Sequence, residues 1–205
     1  VIEWKVYGYS NEMAADKQLL KAALDKAKSV DTSLFEEGAA DILSAAITEV
    51  QAVYDNKEAT QDEVDAAAAK LERVIASLPA KDGNLAFSAT ASTSFVSGWE
   101  NLSGINDGLV PESSYDPKIA RYGSWGNTSK YETLTYTWGS EVTLKGSDIY
   151  FWYDGSETDN GGINLPTSYV YEYLDADGNW KEVPNASAYN LDIDKFNATT
   201  FDEVT

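Results

Sequence analysis

The 205-residue sequence contains no cysteine and no histidine. The first absence removes disulfides, zinc–thiolate centres and cysteine nucleophiles together. The second removes the Ser-His-Asp arrangement and the commonest general base. Positive charge is also scarce: 15 Lys and Arg stand against 34 Asp and Glu, for a formal charge of -19. Phosphate backbones and anionic lipid surfaces need clustered Lys and Arg, so neither nucleic acid nor a membrane surface is an expected partner. The acidity reads first as a solvated surface and second as a supply of carboxylates for a divalent cation. No apolar run approaches the ~20 residues that cross a bilayer. Neither an initiator methionine nor a signal peptide opens the chain.

What is present falls into two zones. Alanine crowds the first third and aromatics crowd the remainder. Three amphipathic segments repeat at the 3.6-residue period. One over Met13 to Ser29 aligns Leu20, Ala23, Leu24 and Ala27. The next, over Phe35 to Tyr54, aligns Ile42, Ala46, Val50 and Val53, with Leu43, Ile47 and Tyr54 widening the stripe. The third carries Val64, Ala68, Leu71, Ile75 and Leu78, opened by the capping box Thr60-Gln61-Asp62-Glu63. Short connections imply antiparallel neighbours and a three-helix bundle over residues 10–79.

Pro79-Ala80-Lys81-Asp82-Gly83 ends the helical pattern. Beyond it, Thr133 to Trp138, Glu141 to Leu144, Asp148 to Tyr153 and Tyr169 to Leu174 are rich in Thr, Val, Tyr and Trp. Turn signals separate these runs: Trp138-Gly139-Ser140, Lys145-Gly146-Ser147 and Asp175-Ala176-Asp177-Gly178. The last, set between Tyr171-Glu172-Tyr173 and Trp180-Lys181-Glu182-Val183, predicts a hairpin. Regular short strands without helices predict an antiparallel β-sandwich over residues 83–205. Trp152 and Trp180, beside alternating strands, are expected in the core, and Phe87, Phe95, Tyr136 and Trp138 in core or cross-strand packing.

Several stretches in this order resemble the discoidin-like, galactose-binding-like modules, coagulation-factor type C relatives that include carbohydrate-binding module family 32. They are Ile105-Asn106-Asp107-Gly108, Pro111-Glu112-Ser113-Ser114-Tyr115-Asp116, Trp125, Ile149 to Asp154, Leu165 to Tyr169, Gly178 to Val183, and Phe196-Asn197 leading to Phe201 to Thr205. The resemblance implies a jelly-roll sandwich of the kind appended to bacterial surface glycoside hydrolases. The bundle resembles a FIVAR module, a three-helix repeat of Gram-positive cell-surface proteins. Residues Ile2 to Gly8 resemble the closing strand of such a sandwich, Ile-x-Glu-Trp-x-Val-Tyr-Gly, so residues 1–9 are expected to be the last strand of a preceding module. By the same resemblance the second sandwich is expected to stop at Thr205 short of its final strands. In an up-down-up bundle, a helix of ~18 residues separates entry from exit by roughly 27 Å. The opening strand is therefore expected to pair with a neighbouring copy, to be disordered, or to pack on the bundle.

The resemblance also implies a structural calcium under the Asp-Gly turn, held here by Asp107 with Ser113 or Ser114 as the hydroxyl donor; hard oxygen ligands suit that ion. The alternative is that Asp107 simply stabilises an Asx-type turn before Gly108. For sugar binding, which pairs aromatic faces with a few placed polar groups, the candidates are Trp99, Tyr115, Arg121, Trp125 and Asn127, with Tyr122 and Asn101 nearby. The polar loop Asp154 to Asn164 is placed to frame the same end. Trp125 and Tyr115 have packing as the competing role. Carboxylate pairs such as Asp154 with Glu157, or Asp192 with Asp194, lie on turns without an apolar pocket to raise one pKa, so no catalytic residue is expected.

The resulting expectation is a non-catalytic accessory fragment of a large extracellular or cell-wall-attached glycoside hydrolase. Its partners would be a glycan and the catalytic domain of the same parent chain. The alternative is a structural or adhesive surface module with no sugar ligand.

Overall fold

The computed structural model describes residues 14–116, 119–154 and 162–205. The expected opening strand, residues 1–9, and its pairing with another copy lie outside these residues. The chain divides into two units, Val1–Pro79 and Ala80–Thr205.

The first unit is helical. Helix α1 runs Gln18–Ser29, α2 Ala39–Asp55 and α3 Gln61–Ala76. In α1 the expected face is the buried one: Leu20, Ala23, Leu24 and Ala27. The helix starts at Gln18 because the Asp16 carboxylate accepts the Gln18 N–H at 2.9 Å, satisfying an amide that has no helical partner. Helix α2 starts later than Phe35. Asp31 caps a short 3-10 turn by accepting from Ser33 N–H, and Phe35 is extended and buried in the core. The helix then opens after Gly38, whose φ of 92° suits glycine. Its buried face is Ala39, Leu43, Ala46 and Val50. Ile42, expected on that face, is 53% exposed: the stripe is centred one position further on. At the start of α3 the Thr60 hydroxyl accepts from Glu63 N–H at 3.3 Å and the Glu63 carboxylate accepts from Thr60 N–H at 2.9 Å. Caps of this kind stabilise a helix by about 1 kcal/mol.

The fully buried Leu20, Val50, Val64, Leu71 and Ile75 hold the bundle together, each worth roughly 1.5–3 kcal/mol in area terms. Gln61 exchanges two hydrogen bonds with the Asp16 backbone, and Lys26 pairs with Glu72 at 2.9 Å. These contacts match α1 to α3 start with start and end with end, so the two run in one direction. The Lys17 ammonium donates to the Tyr54 and Asn56 carbonyls, each at 2.6 Å, at the C-terminal end of α2. That helix therefore runs the opposite way, and a cation meets its negative dipole end.

The second unit is built from strands: β1 Thr90–Thr93, β2 Leu134–Thr137, β3 Leu144–Tyr150, β4 Glu172–Leu174, β5 Trp180–Glu182 and β6 Phe196–Val204. They pair antiparallel as β1 with β2, β3 with β6 and β4 with β5. Among the described residues these are three two-stranded ladders, and no closed sandwich forms. Outside the ladders, Ser94 N–H donates to the Thr133 carbonyl while its hydroxyl accepts from Thr133 N–H, and Ser187 is joined to Thr200 in the same way. The predicted hairpin is present, with Glu172 opposite Glu182 and Leu174 opposite Trp180. Lys145-Gly146-Ser147 is not a turn. It lies inside β3 at a register shift between Leu144 and Gly146, where a Cβ on Gly146 would stand 3.0 Å from the Thr199 carbonyl oxygen.

Alternation along β6 buries Asn197 and Thr199. Asn197 is satisfied by donating to the Asp192, Lys195 and Ile149 carbonyls and accepting from Asp192 N–H, as a buried amide must be. Around them, Tyr169 packs edge-on against Phe151, Tyr171 and Tyr189, with ring centroids 5.2–5.6 Å apart. Tyr136 and Trp138 pack together at 6.1 Å, and their polar ends donate to the Ile105 and Leu85 carbonyls. Trp180, expected in the core, is 54% exposed. It sits on a hairpin strand of three residues, all of them exposed.

Candidate functional site

Two backbone hydrogen bonds organise one end of the second unit. Ser97 N–H donates to the Gly123 carbonyl and Asn101 N–H to the Arg121 carbonyl, both at 2.9 Å. Residues 97–101 and 121–123 are thereby tied side by side, although neither is part of a regular strand. Each segment then presents a tryptophan on a turn. Glu100 N–H donates to the Ser97 carbonyl, closing a turn around Gly98 and Trp99. Asn127 N–H donates to the Ser124 carbonyl, closing a second around Trp125 and Gly126, where Gly126 has the φ of 86° that favours glycine. Turn tips hold side chains away from the body of the unit, and Trp99 is 86% and Trp125 46% exposed.

Between the indoles lies a cleft of about 330 Å³, lined by Trp99, Glu100, Arg121, Trp125, Asp154, Gly162 and Ile163. A volume near 300 Å³ is at the lower end of the range for small-molecule sites. Gly123 sits beside it without a side chain. A Cβ there would come within 2.6 Å of Ile163 Cδ1, 3.0 Å of Glu100 Cγ and 3.2 Å of Trp152 Cζ2.

Arg121 is the most constrained polar group. Its guanidinium stacks over Trp152, 4.2 Å from the ring centroid, and donates to the Ser114 carbonyl at 2.8 Å. Trp152 is fixed in turn by donating its indole N–H to the Tyr122 carbonyl at 2.6 Å. Trp152 is thus a packing residue, as its strand position suggests. Tyr122 is another: its hydroxyl donates to the Phe95 carbonyl, and burial pushes its pKa up. Asp154 accepts the Ile163 N–H and donates its own N–H to the Ile163 carbonyl. Glu100 is different, because its Oε2 is buried and has no hydrogen-bond partner.

Of the residues singled out from sequence, Trp99, Arg121 and Trp125 therefore line one cleft. Tyr115 does not line it and is 68% exposed. Asn127 is turned to local structure: its amide donates to Glu132 and its carbonyl accepts from Ser129 N–H. Glu100 and Ile163 carried no sequence signal of their own, while Asp154 and Ile163 belong to the loop expected to frame this end.

Two of the residues implied as calcium ligands, Asp107 and Ser114, make hydrogen bonds within the protein. Asp107 accepts the Leu109 N–H at 2.9 Å, the Asx-type turn considered above. Ser114 is buried, donates its hydroxyl and its N–H to Asp194 at 2.6 Å each, and accepts from Tyr153 N–H. Among the described residues no three His, Cys, Asp or Glu side chains gather in a way that could hold a metal ion.

No protein-family model matches the chain. Among solved structures, the Streptococcus pneumoniae beta-galactosidase BgaA is similar to it at 20% sequence identity and a TM-score of 0.45. That likeness covers 57% of this chain and 76% of the other. No helix among the described residues is long and apolar enough to cross a membrane.

Proposed function

We propose that the chain is a non-catalytic accessory part of a large extracellular glycoside hydrolase, with a FIVAR-like helical spacer and a discoidin-like β module that binds carbohydrate. The observation that carries this reading is the cleft between Trp99 and Trp125. Two exposed indoles offer flat apolar surface for a pyranose ring, and Arg121, held by Trp152 and Ser114, lines the same cleft as a donor for its hydroxyls. Catalysis is not supported by the carboxylates. Glu100 and Asp154 line an open cleft together with Arg121. The module's contribution is proximity: weak attachment to a glycan raises the effective concentration of substrate at a linked catalytic domain.

A structural or adhesive role is favoured by one separate observation. Leu174 and Trp180 face each other across the β4–β5 hairpin and are 51% and 54% exposed, an apolar pair suited to packing on another protein. A glycan array, followed by titration of the best binder against Trp125→Ala, separates the two readings. Saccharide binding that the substitution removes supports the carbohydrate role, and absence of any saccharide binding supports the adhesive one. Hydrolysis of aryl-glycosides by this chain alone would overturn the non-catalytic assignment.

A further inference from the structure

The β4–β5 hairpin carries a second surface, built from residues that do not line the cleft. Asp175 N–H donates to the Asn179 carbonyl and Val183 N–H to the Tyr171 carbonyl. Leu174 opposite Trp180 and Glu172 opposite Glu182 are therefore non-hydrogen-bonded pairs, the kind in which side chains stand closest. One step further in the same register, Val170 comes opposite Pro184. Alternation puts these three pairs on one face. That face is layered: an apolar rung of Leu174 and Trp180, an acidic rung of Glu172 and Glu182, and an apolar rung of Val170 and Pro184. All six residues are exposed.

We infer that this face docks a segment of another protein that presents one Lys or Arg between two apolar side chains. The inference stands apart from the carbohydrate reading. It rests on the adhesive alternative and gives it a partner chemistry.

Charge is the first argument. Like charges directly opposite one another destabilise a sheet, and these two share the closer type of pair. Among the described residues neither carboxylate has an ion-pair partner. Lys181, beside Glu182 in sequence, lies on the other face and pairs with Asp175 at 2.5 Å, and Lys195 pairs with Asp192. A cation set between Glu172 and Glu182 is attracted by both and offsets their repulsion.

The apolar rungs say what carries the cation. Successive rungs are two residues apart, about 7 Å along the strand. In an extended segment, the neighbours two positions either side of a Lys or Arg have that same spacing and direction. Apolar side chains there fall on Leu174 and Trp180 at one end and on Val170 and Pro184 at the other. A free metal ion would engage the carboxylates and leave both apolar rungs in water. The exposed indole of Trp180 also offers its ring to a guanidinium. A second copy is disfavoured as occupant, because chains of formal charge -19 repel one another.

The test is NMR titration of the whole chain with the capped peptide Thr-Leu-Thr-Arg-Thr-Leu-Thr, and with versions carrying Gln or Glu in place of Arg. Shifts should centre on β4 and β5. The Arg peptide should bind about threefold or more tightly than the Gln peptide, since each exposed ion pair contributes roughly 1.4- to fivefold. The Glu peptide should be the weakest, and raising the salt should close the gaps. Glu172→Gln combined with Glu182→Gln should abolish the preference for Arg without lowering the melting temperature, because it removes a repulsion from exposed positions. Trp180→Ala should weaken all three peptides. If the Gln peptide binds as tightly as the Arg peptide, the cationic partner is overturned while the adhesive use of the face stands. If no peptide binds at millimolar concentration, or the shifts lie outside the hairpin, both fall together. A dimer in sedimentation that Trp180→Ala abolishes would assign the face to a second copy and overturn the inference too. None of these outcomes touches the carbohydrate reading.

Discussion

Arg121 lies with its guanidinium 4.2 Å from the centre of the Trp152 ring while one of its N–H groups donates to the Ser114 carbonyl. Ser114 is itself anchored twice to Asp194, which occupies the left-handed region with φ of 59°. That conformation is uncommon outside glycine, though Asp tolerates it better than most residues. The guanidinium's position in the cleft is therefore inherited from residues far away in sequence. Arg121→Lys keeps the charge but loses the planar stack and the directed donor. It should lower saccharide affinity by about tenfold and destabilise the fold by roughly 0.5–2 kcal/mol, the range of a partly buried cation–π contact. Titration and thermal melting of the same variant check both.

Trp99 is nearly free of the fold it stands on. Trp99→Ala should leave the melting temperature within a degree or so, as changes at exposed positions usually do, while weakening saccharide binding about tenfold or more. Tyr115→Ala should change neither, since Tyr115 is exposed and outside the cleft. Glycan titration of the two variants side by side distinguishes them, and loss of binding in Tyr115→Ala would move the site.

Gly104 permits a close approach of backbone to backbone. A Cβ there would lie 2.4 Å from the Ala120 carbonyl oxygen and 2.8 Å from the Arg121 nitrogen. Neither atom is the end of a flexible side chain, so the chain itself must move. Gly104→Ala should destabilise the second unit by roughly 1–3 kcal/mol and weaken binding by displacing Arg121. Denaturant unfolding followed by tryptophan fluorescence reads the first effect.

Two half-buried tyrosines contribute to stability at alkaline pH. Desolvation raises Tyr171 from 10.0 to about 12 and raises Tyr136 further. A folded-state pKa above the unfolded value means that the unfolded chain loses its proton first as pH rises. The stability these phenols contribute is fully present below pH ~10 and is lost as pH climbs from there through their folded values. Unfolding free energy measured from pH 9 upward should fall, with delayed tyrosinate absorbance in the folded chain. Tyr171→Phe should reduce the slope.

How much of this was readable beforehand depends on how local each cause is. The faces of α1 and α3 follow from the 3.6-residue period, and the capping box from residues Thr60 and Glu63 alone. Ile42 misled because an apolar residue one step off the buried stripe leaves the period almost unchanged. Lys145-Gly146-Ser147 has turn composition, yet Gly146 is there to pass close to Thr199 across a bulged ladder, a long-range fact. Trp180 alternates properly, but all three residues of its strand are exposed. Within the cleft, Trp99, Arg121 and Trp125 stood out as aromatic and basic residues among polar loops. Glu100 did not, because its burial depends on residues 97–101 and 121–123 being tied together through hydrogen bonds that no spacing rule encodes.

The bare Hα of Gly123 carries a last consequence, an evolutionary one. A single methyl group at that position would press on Ile163, Glu100 and Trp152 at once, and a glycine codon becomes an alanine codon by one base change. The packing beside the recess is thus one mutational step from being disturbed. On the proposed carbohydrate role, one base change can therefore impair binding while nearly all of the architecture is inherited.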